Sequence, residues 1–277
     1  MRHILLTDLL ALIFVDEDGG RAQSRLARAD KKLSRKRNQR TRKKYLDANG
    51  SDKWSPIKDR LTALLGKKCW YTEVEIIGAP LAIDHYRPVC HYWWLAFDAE
   101  NYRVSCSWAN SPEPNAQHGR IGGKGDSFPL LPPAQRATQK GQLLTERAVI
   151  LDPCNQADCD LLSFQADGRP ILNPLFATDA IARQRVDDST LILNLDHPDF
   201  NAARERLCND IADDVRACEA LGETADARAP ILDRIRRRLT SKAPFSTAAR
   251  YYLQLHRHLG WVEDLLNGRG HAPPRPP

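Results

Sequence analysis

Ile83-Asp84-His85-Tyr86-Arg87-Pro88 decides how this chain is read, because it sets a carboxylate beside an imidazole just before a proline that should end a strand. Inside a strand the two side chains would point to opposite faces. At a strand end or bend, the Asp can hold a cation while the neighbouring imidazole polarises water. Such a pair is ordinarily just buried and hydrogen-bonded, so its surroundings matter. From Cys69 to Val104 the chain is rich in aromatic and β-branched residues. Glu73 to Ile77 and Tyr102 to Cys106 are strand candidates, and Tyr92 to Phe97 can be read as strand or helix. Trp93 and Trp94 read as core rather than as a base-stacking surface. Downstream, residues 111 to 133 hold Pro112, Pro114, Gly119, Gly122, Gly123, Gly125, Pro129, Pro132 and Pro133, a density that predicts a long loop without regular structure over most of its length. Gly122-Gly123-Lys124-Gly125 lacks the Walker pattern, which argues against an ATP site there.

Further out the chain reads as helical at both ends. Ile4 to Val15 predicts a buried helix, too short and too interrupted by Asp8 to span a bilayer, so no membrane anchor is expected. Between Arg21 and Lys44 lie twelve Lys and Arg residues and one acid, Asp30, which predicts a basic helix with little apolar face. After the turn at Asn49-Gly50-Ser51, Trp54, Ile57, Leu61, Leu64 and Leu65 have helical spacing before Gly66. Ala148 to Leu151 reads as a short buried strand and Asp167-Gly168 as a hairpin turn. Helices follow from about Asp179 to Leu193, from Asp199 to about Leu221 behind His197-Pro198, and one or two more from Ala229 to Leu266, before a frayed Pro-rich end from Pro273.

Lys and Arg number 41 against 35 Asp and Glu, a formal charge of +6 that suits a polyanionic partner. The surplus is local, since Cys208 to Asp233 is acid-rich. Mutual repulsion in the Arg21 to Lys44 stretch favours a nearby anion, so Arg35, Lys36, Arg37, Arg40, Arg42 and Lys43 are candidate phosphate contacts of low sequence preference. Seven dispersed cysteines do not make a secreted disulfide framework and point to a reducing cytoplasm. Cys154 and Cys159, near Asp152, Asp158 and Asp160, are more simply an acidic loop than a metal site.

Taken together, Lys68-Cys69-Trp70-Tyr71-Thr72-Glu73, Asp84 to Pro88, Tyr92-Trp93-Trp94-Leu95-Ala96-Phe97, Glu100-Asn101-Tyr102-Arg103, Cys106 through Asn110, Gly123-Lys124 and Phe128-Pro129-Leu130 resemble the HNH endonuclease family. The likeness is to the nuclease subunit that accompanies an ATPase in Septu-type and related retron antiphage systems, and it runs over roughly residues 65 to 205. The resemblance implies a metal-dependent DNA endonuclease with an ATPase partner. In it His85 is the general base, Asp84 and Asn110 are metal ligands for Mg²⁺ or Mn²⁺, and Asn101 holds the loop between two strands so as to orient the base. Lys124 and Arg87 become candidate phosphate contacts, Arg87 being equally suited to a salt bridge that fixes Asp84, and His118 is a candidate loop ligand.

Two features depart from the family pattern. Its two Cys-x-x-Cys pairs are here Cys69 with Thr72 and Cys106 with Ala109, and two thiolates cannot complete a tetrahedral site, so no structural zinc is expected. Pro112 and Pro114 would hinder the helix that closes a ββα-metal unit. The expectation is therefore an α+β fold with a ββα-metal core at 66–135. A basic helical region at 1–65 precedes it, and an extension at 136–200 and helices at 201–277 follow. A nucleic-acid-binding subunit that keeps the fold without catalysis, or a nuclease acting on RNA, are the alternatives.

Overall fold

A computed structural model describes residues 1–75, 80–115, 119–222 and 225–268. Helix α1 (Leu6–Phe14) buries Leu6, Leu9 and Ile13, and Asp16 caps the next helix by accepting from Gly19 N at 2.7 Å. The basic stretch forms two helices rather than one: α2 (Glu17–Ser34) and α3 (Gln39–Asn49), the second capped by Asn38. Contrary to expectation α2 has a full apolar stripe, because Ala22 and Ala29 alternate with Leu26 and Leu33 at helical spacing and all four are buried. Its alanines make the stripe easy to overlook. α4 (Ser51–Leu65) buries Ile57 and Leu61 and ends at Gly66, whose φ of 87° suits glycine.

The middle of the chain is built on the antiparallel pair β1 (Ala82–His85) and β2 (Tyr102–Ser105), with Asp84 opposite Arg103 and His85 opposite Tyr102. Between them, Trp93–Leu95 and Ala99–Asn101 are short 3₁₀ turns, so Tyr92 to Phe97 is neither strand nor α-helix. β2 runs directly into α5 (Ser107–Asn110), a single turn that stops short of Pro112. Of the strand expected at Glu73 to Ile77, the described part does not form one: Glu73 is left-handed at φ 60° and Glu75 makes one isolated bridge to Lys68, while Ile76 and Ile77 lie outside the described residues. The Pro/Gly-rich segment is more ordered than its composition suggests, since β3 (Glu113–Asn115) and β4 (Arg120–Gly122) form a hairpin within it. Pro114 sits on an edge strand, where proline is tolerated when its nitrogen faces away from the partner.

Then come α6 (Gln156–Asp160) and the hairpin of β5 (Leu162–Phe164) and β6 (Pro170–Leu172), which turns at Gly168. Of the expected strand at Ala148 to Leu151, only Ala148 makes a bridge, to Leu130, although Val149, Ile150 and Leu151 are buried. Helix α7 (Ala180–Ile192) is capped by Asp179, and α8 (Pro198–Ala220) starts on Pro198 with His197 as its cap. The C-terminal region holds α9 (Ala225–Leu239), α10 (Ser246–Gln254) and α11 (Gly260–Leu266).

The chain is thus an α+β protein. Its buried apolar side chains form two clusters. One joins α1, α2, α4, the β1–β2 hairpin and α7, so residues 1–65 share a core with 66–135. The other joins Phe164 to the helices α8 to α11. Among the described residues no helix is long and apolar enough to cross a membrane.

Candidate active site

The β1–β2 hairpin is closed at one end by Asn101. Its Oδ1 accepts from Arg87 N at 2.9 Å, its Nδ2 donates to Arg87 O at 3.0 Å, and its backbone carbonyl accepts from Tyr86 N. An amide side chain that presents one acceptor and one donor to the same residue fixes where the chain leaves β1. It therefore fixes the direction of the His85 side chain just before. Asn101 is buried and acts as a positioning residue.

His85 is half-buried, with its ring edge-on to Trp54 of α4 at 4.9 Å and to Tyr102 at 5.2 Å between centroids. Its Nε2 lies 2.9 Å from Ala96 O. A carbonyl can only accept, so Nε2 carries the hydrogen and, in the neutral ring, Nδ1 carries the lone pair. Burial holds this imidazole below its ordinary pKa, outweighing the Ala96 hydrogen bond and the nearby Asp84 charge, which act the other way. The ring is thus neutral at pH 7, with a fixed orientation and one free basic nitrogen.

Asp84 points elsewhere. It is buried, its Oδ2 accepts from Tyr71 OH at 2.6 Å, and its Oδ1 accepts from Lys124 Nζ at 2.9 Å. Burial and the Asp84 charge push the Tyr71 phenol well above its ordinary pKa, so it stays a donor. Lys124, expected against phosphate, is itself buried, and its ammonium also donates to His85 O at 2.8 Å and more loosely to Gly125 O at 3.5 Å. Three oxygens therefore converge on one cation. Lys124 is held there by its backbone, since Lys124 N donates to Ala109 O and Gly125 N to Asn110 O, both at 2.8 Å. Asn110, at the end of α5, is thereby tied to the segment that reaches Asp84. Its side chain is half-exposed and makes no hydrogen bond among the described residues.

Comparison of the chain with protein-family models, with characterised proteins and with solved structures returns no match.

Arg87 does not fix Asp84. Its Nε donates to Glu146 Oε2 at 2.7 Å, and Glu146 also accepts from Tyr92 OH. Arg103, opposite Asp84, makes a two-pronged pair with Asp152, while Arg185 does the same with Asp158, so the acidic loop anchors the extension to the hairpin. The zinc-pair positions do come together. Cys69 and Cys106 are buried, Thr72 Oγ1 is 4.0 Å from Cys106 Sγ, and Cys69 Sγ is 3.9 Å from Ser105 Oγ. Burial opposes ionisation of Cys69, but hydrogen bonds with Cys106 and Thr72 outweigh it and lower its thiol. Among the described residues no cluster of three or more His, Cys, Asp or Glu side chains could hold a metal ion. His118 lies outside the described residues.

The basic helices border the site. Tyr45 of α3 meets Phe97 edge-on and Arg42 lies 3.8 Å over the Trp93 ring, so α3 covers the segment whose Ala96 carbonyl holds His85. Arg42 also donates to Lys36 O, Lys36 lies over Tyr45, and Lys43 pairs with Asp47. Arg35, Arg37 and Arg40 are exposed and pair with no acid among the described residues. Tyr71 and Trp54 are the site residues that sequence reasoning missed. Tyr71 stands inside a quoted motif, but nothing in its spacing marks it as a partner of Asp84. Trp54 looks like any other apolar position of α4.

Proposed function

We propose that the chain is a metal-dependent endonuclease that hydrolyses DNA phosphodiester bonds, with β1, β2 and α5 as a ββα-metal core of the HNH type. The observation that carries this reading is the His85 imidazole, oriented through Nε2 by Ala96 O so that Nδ1 is left to accept, and held below its ordinary pKa by burial. A general base must be unprotonated at working pH and aimed, and His85 meets both demands. In this mechanism Nδ1 takes the proton of a water that attacks phosphorus, and the Nε2 hydrogen bond to Ala96 O steadies the imidazolium that results. Asn101 keeps β1 and its exit in register so that the ring stays aimed.

Asp84 Oδ1, His85 O and Gly125 O are oxygens of the kind a hard cation takes, and they now meet the Lys124 ammonium, which an ion would have to displace. Asp84 and Asn110 would hold Mg²⁺ or Mn²⁺. Bound there, the ion would neutralise charge on the scissile phosphate and the departing 3′ oxygen. Arg35, Arg37 and Arg40 would hold the DNA backbone. Resemblance to the Septu-type and retron nucleases adds the setting: a cytoplasmic antiphage complex in which an ATPase is the partner.

The Lys124–Asp84 pair favours a second reading, a nucleic-acid-binding subunit without catalysis, since the ammonium already satisfies the carboxylate that metal would need. Incubating the chain, alone and with any ATPase encoded beside it, with plasmid and single-stranded DNA separates the two. Cleavage in Mg²⁺ or Mn²⁺ that EDTA abolishes supports the endonuclease, whereas DNA binding without cleavage in every combination supports the second reading.

A further inference from the structure

A cleft of about 700 Å³ opens between the first three residues, α6, β5 and α10, on elements that do not contribute to the candidate active site. That volume lies within the range of small-molecule sites. Arg2 and Arg250 line it, and neither guanidinium is paired with a carboxylate among the described residues. Arg2 donates only to Leu239 O and Ser246 Oγ, at 3.3 and 3.4 Å, and Arg250 only to Leu266 O at 3.1 Å. Each guanidinium has five N–H donors, so most of their capacity is unused. Burial, reinforced by the like charge of Arg2, lowers the pKa of Arg250, so the two cations are close enough to repel. Two part-buried like charges of this kind favour an anion between them.

A third group points the same way. Ser163 on β5 forms part of the cleft wall, is fully buried, and its Oγ has no hydrogen-bond partner. A buried hydroxyl without a partner is uncommon and calls for an explanation. The N-terminus of α10 is not the anion seat, because Glu73 already takes it by accepting from Thr247 N at 3.1 Å and Ser246 Oγ at 2.9 Å. The acid on the cleft, Asp160, is exposed and accepts from Gln156, and Arg257 pairs with Glu263. The Tyr251 ring completes one wall.

We propose that this cleft binds a small phosphorylated ligand of nucleotide size, its phosphate gripped by Arg2 and Arg250 and a polar group bonded to Ser163 Oγ. Guanidinium forks match phosphate geometry, and an aromatic wall suits a base. Calorimetric titration of the full chain with AMP, ATP, inorganic phosphate and adenosine tests it. The expected result is binding of AMP or ATP with Kd on the order of 10–100 μM and no binding of adenosine. Arg250→Gln and Arg2→Gln should each weaken binding by about tenfold or more. Ser163→Ala separates binding from folding: removing an orphan hydroxyl should leave the thermal midpoint of the free protein unchanged or raised, yet weaken the ligand severalfold. His85→Ala should leave binding intact. Failure of both nucleotides to bind at about 1 mM, or binding that the two arginine variants leave unchanged, would overturn the assignment.

Discussion

Two stretches of this chain are dense in arginine, and the structure treats them differently. In α9, Arg234 and Arg238 converge on the buried Asp214 of α8, Arg238 also reaches Asp210, and Arg236 pairs with Asp233. At the α2–α3 junction, Arg35, Arg37 and Arg40 are exposed and meet no acid among the described residues. Similar composition thus serves as internal glue in one place and as a free positive face in the other. The acid-rich run from Cys208 to Asp233 is largely the complement of the arginines of α9, not an interface in itself. Charge points to a partner only where folding has left it unpaired.

The contrast can be broken most forcefully at Asp214. Replacing Asp214 by Ala leaves two arginines facing each other over a buried position. Because both arginines are partly exposed, the cost should be about 2–3 kcal/mol rather than that of a fully buried pair, read as a lower urea midpoint. Changing Arg35, Arg37 and Arg40 together to Glu should leave stability within about 1 kcal/mol, since none has a partner to lose. DNA binding should suffer instead, and its salt dependence on duplex DNA should fall by a slope of about 3 if all three meet phosphate. An unchanged slope would show that the free face is not the DNA contact.

Lys124 sharpens the same comparison within the site, as a cation whose charge meets one carboxylate while two backbone carbonyls take its other hydrogen bonds. Lys124→Met strips Asp84 of its buried counter-charge and should lower the melting temperature. Added Mn²⁺ should then restore the variant by more than it stabilises wild type, because the ion takes over the role of the ammonium. Equal shifts in both proteins would mean that Asp84 does not compete between Lys124 and metal. The smallest effect concerns pH. The folded pKa of His85 lies below its unfolded value of about 6.5, so its neutral burial stabilises the fold above that pH. Stability should decline as pH falls below it, and His85→Ala should flatten that part of the urea-midpoint profile.

Much of this was legible in the sequence because it depends on local pattern. Pro88 behind Asp84-His85 marked the end of β1, and Asp179 and His197-Pro198 marked helix starts; the clamp role of Asn101 came only from the family resemblance. What was not legible depends on distant partners. Lys124 lies 40 residues from Asp84, and only the backbone bonds of Lys124 and Gly125 to the end of α5 bring it there. Arg87 finds Glu146 and Arg103 finds Asp152 across even longer separations. The β3–β4 hairpin was hidden for a different reason, since prolines and glycines that discourage regular structure on average are tolerated in a short sheet with only edges.

The central claim is that His85 Nδ1 is the base. Its most direct test is the cleavage rate of wild type and His85→Ala on the same DNA, in Mg²⁺ or Mn²⁺ and with an ATPase if cleavage requires one, with DNA affinity measured in parallel. The account predicts a loss of about 10²- to 10⁴-fold in rate at unchanged affinity. Cleavage by the variant at the wild-type rate would contradict it.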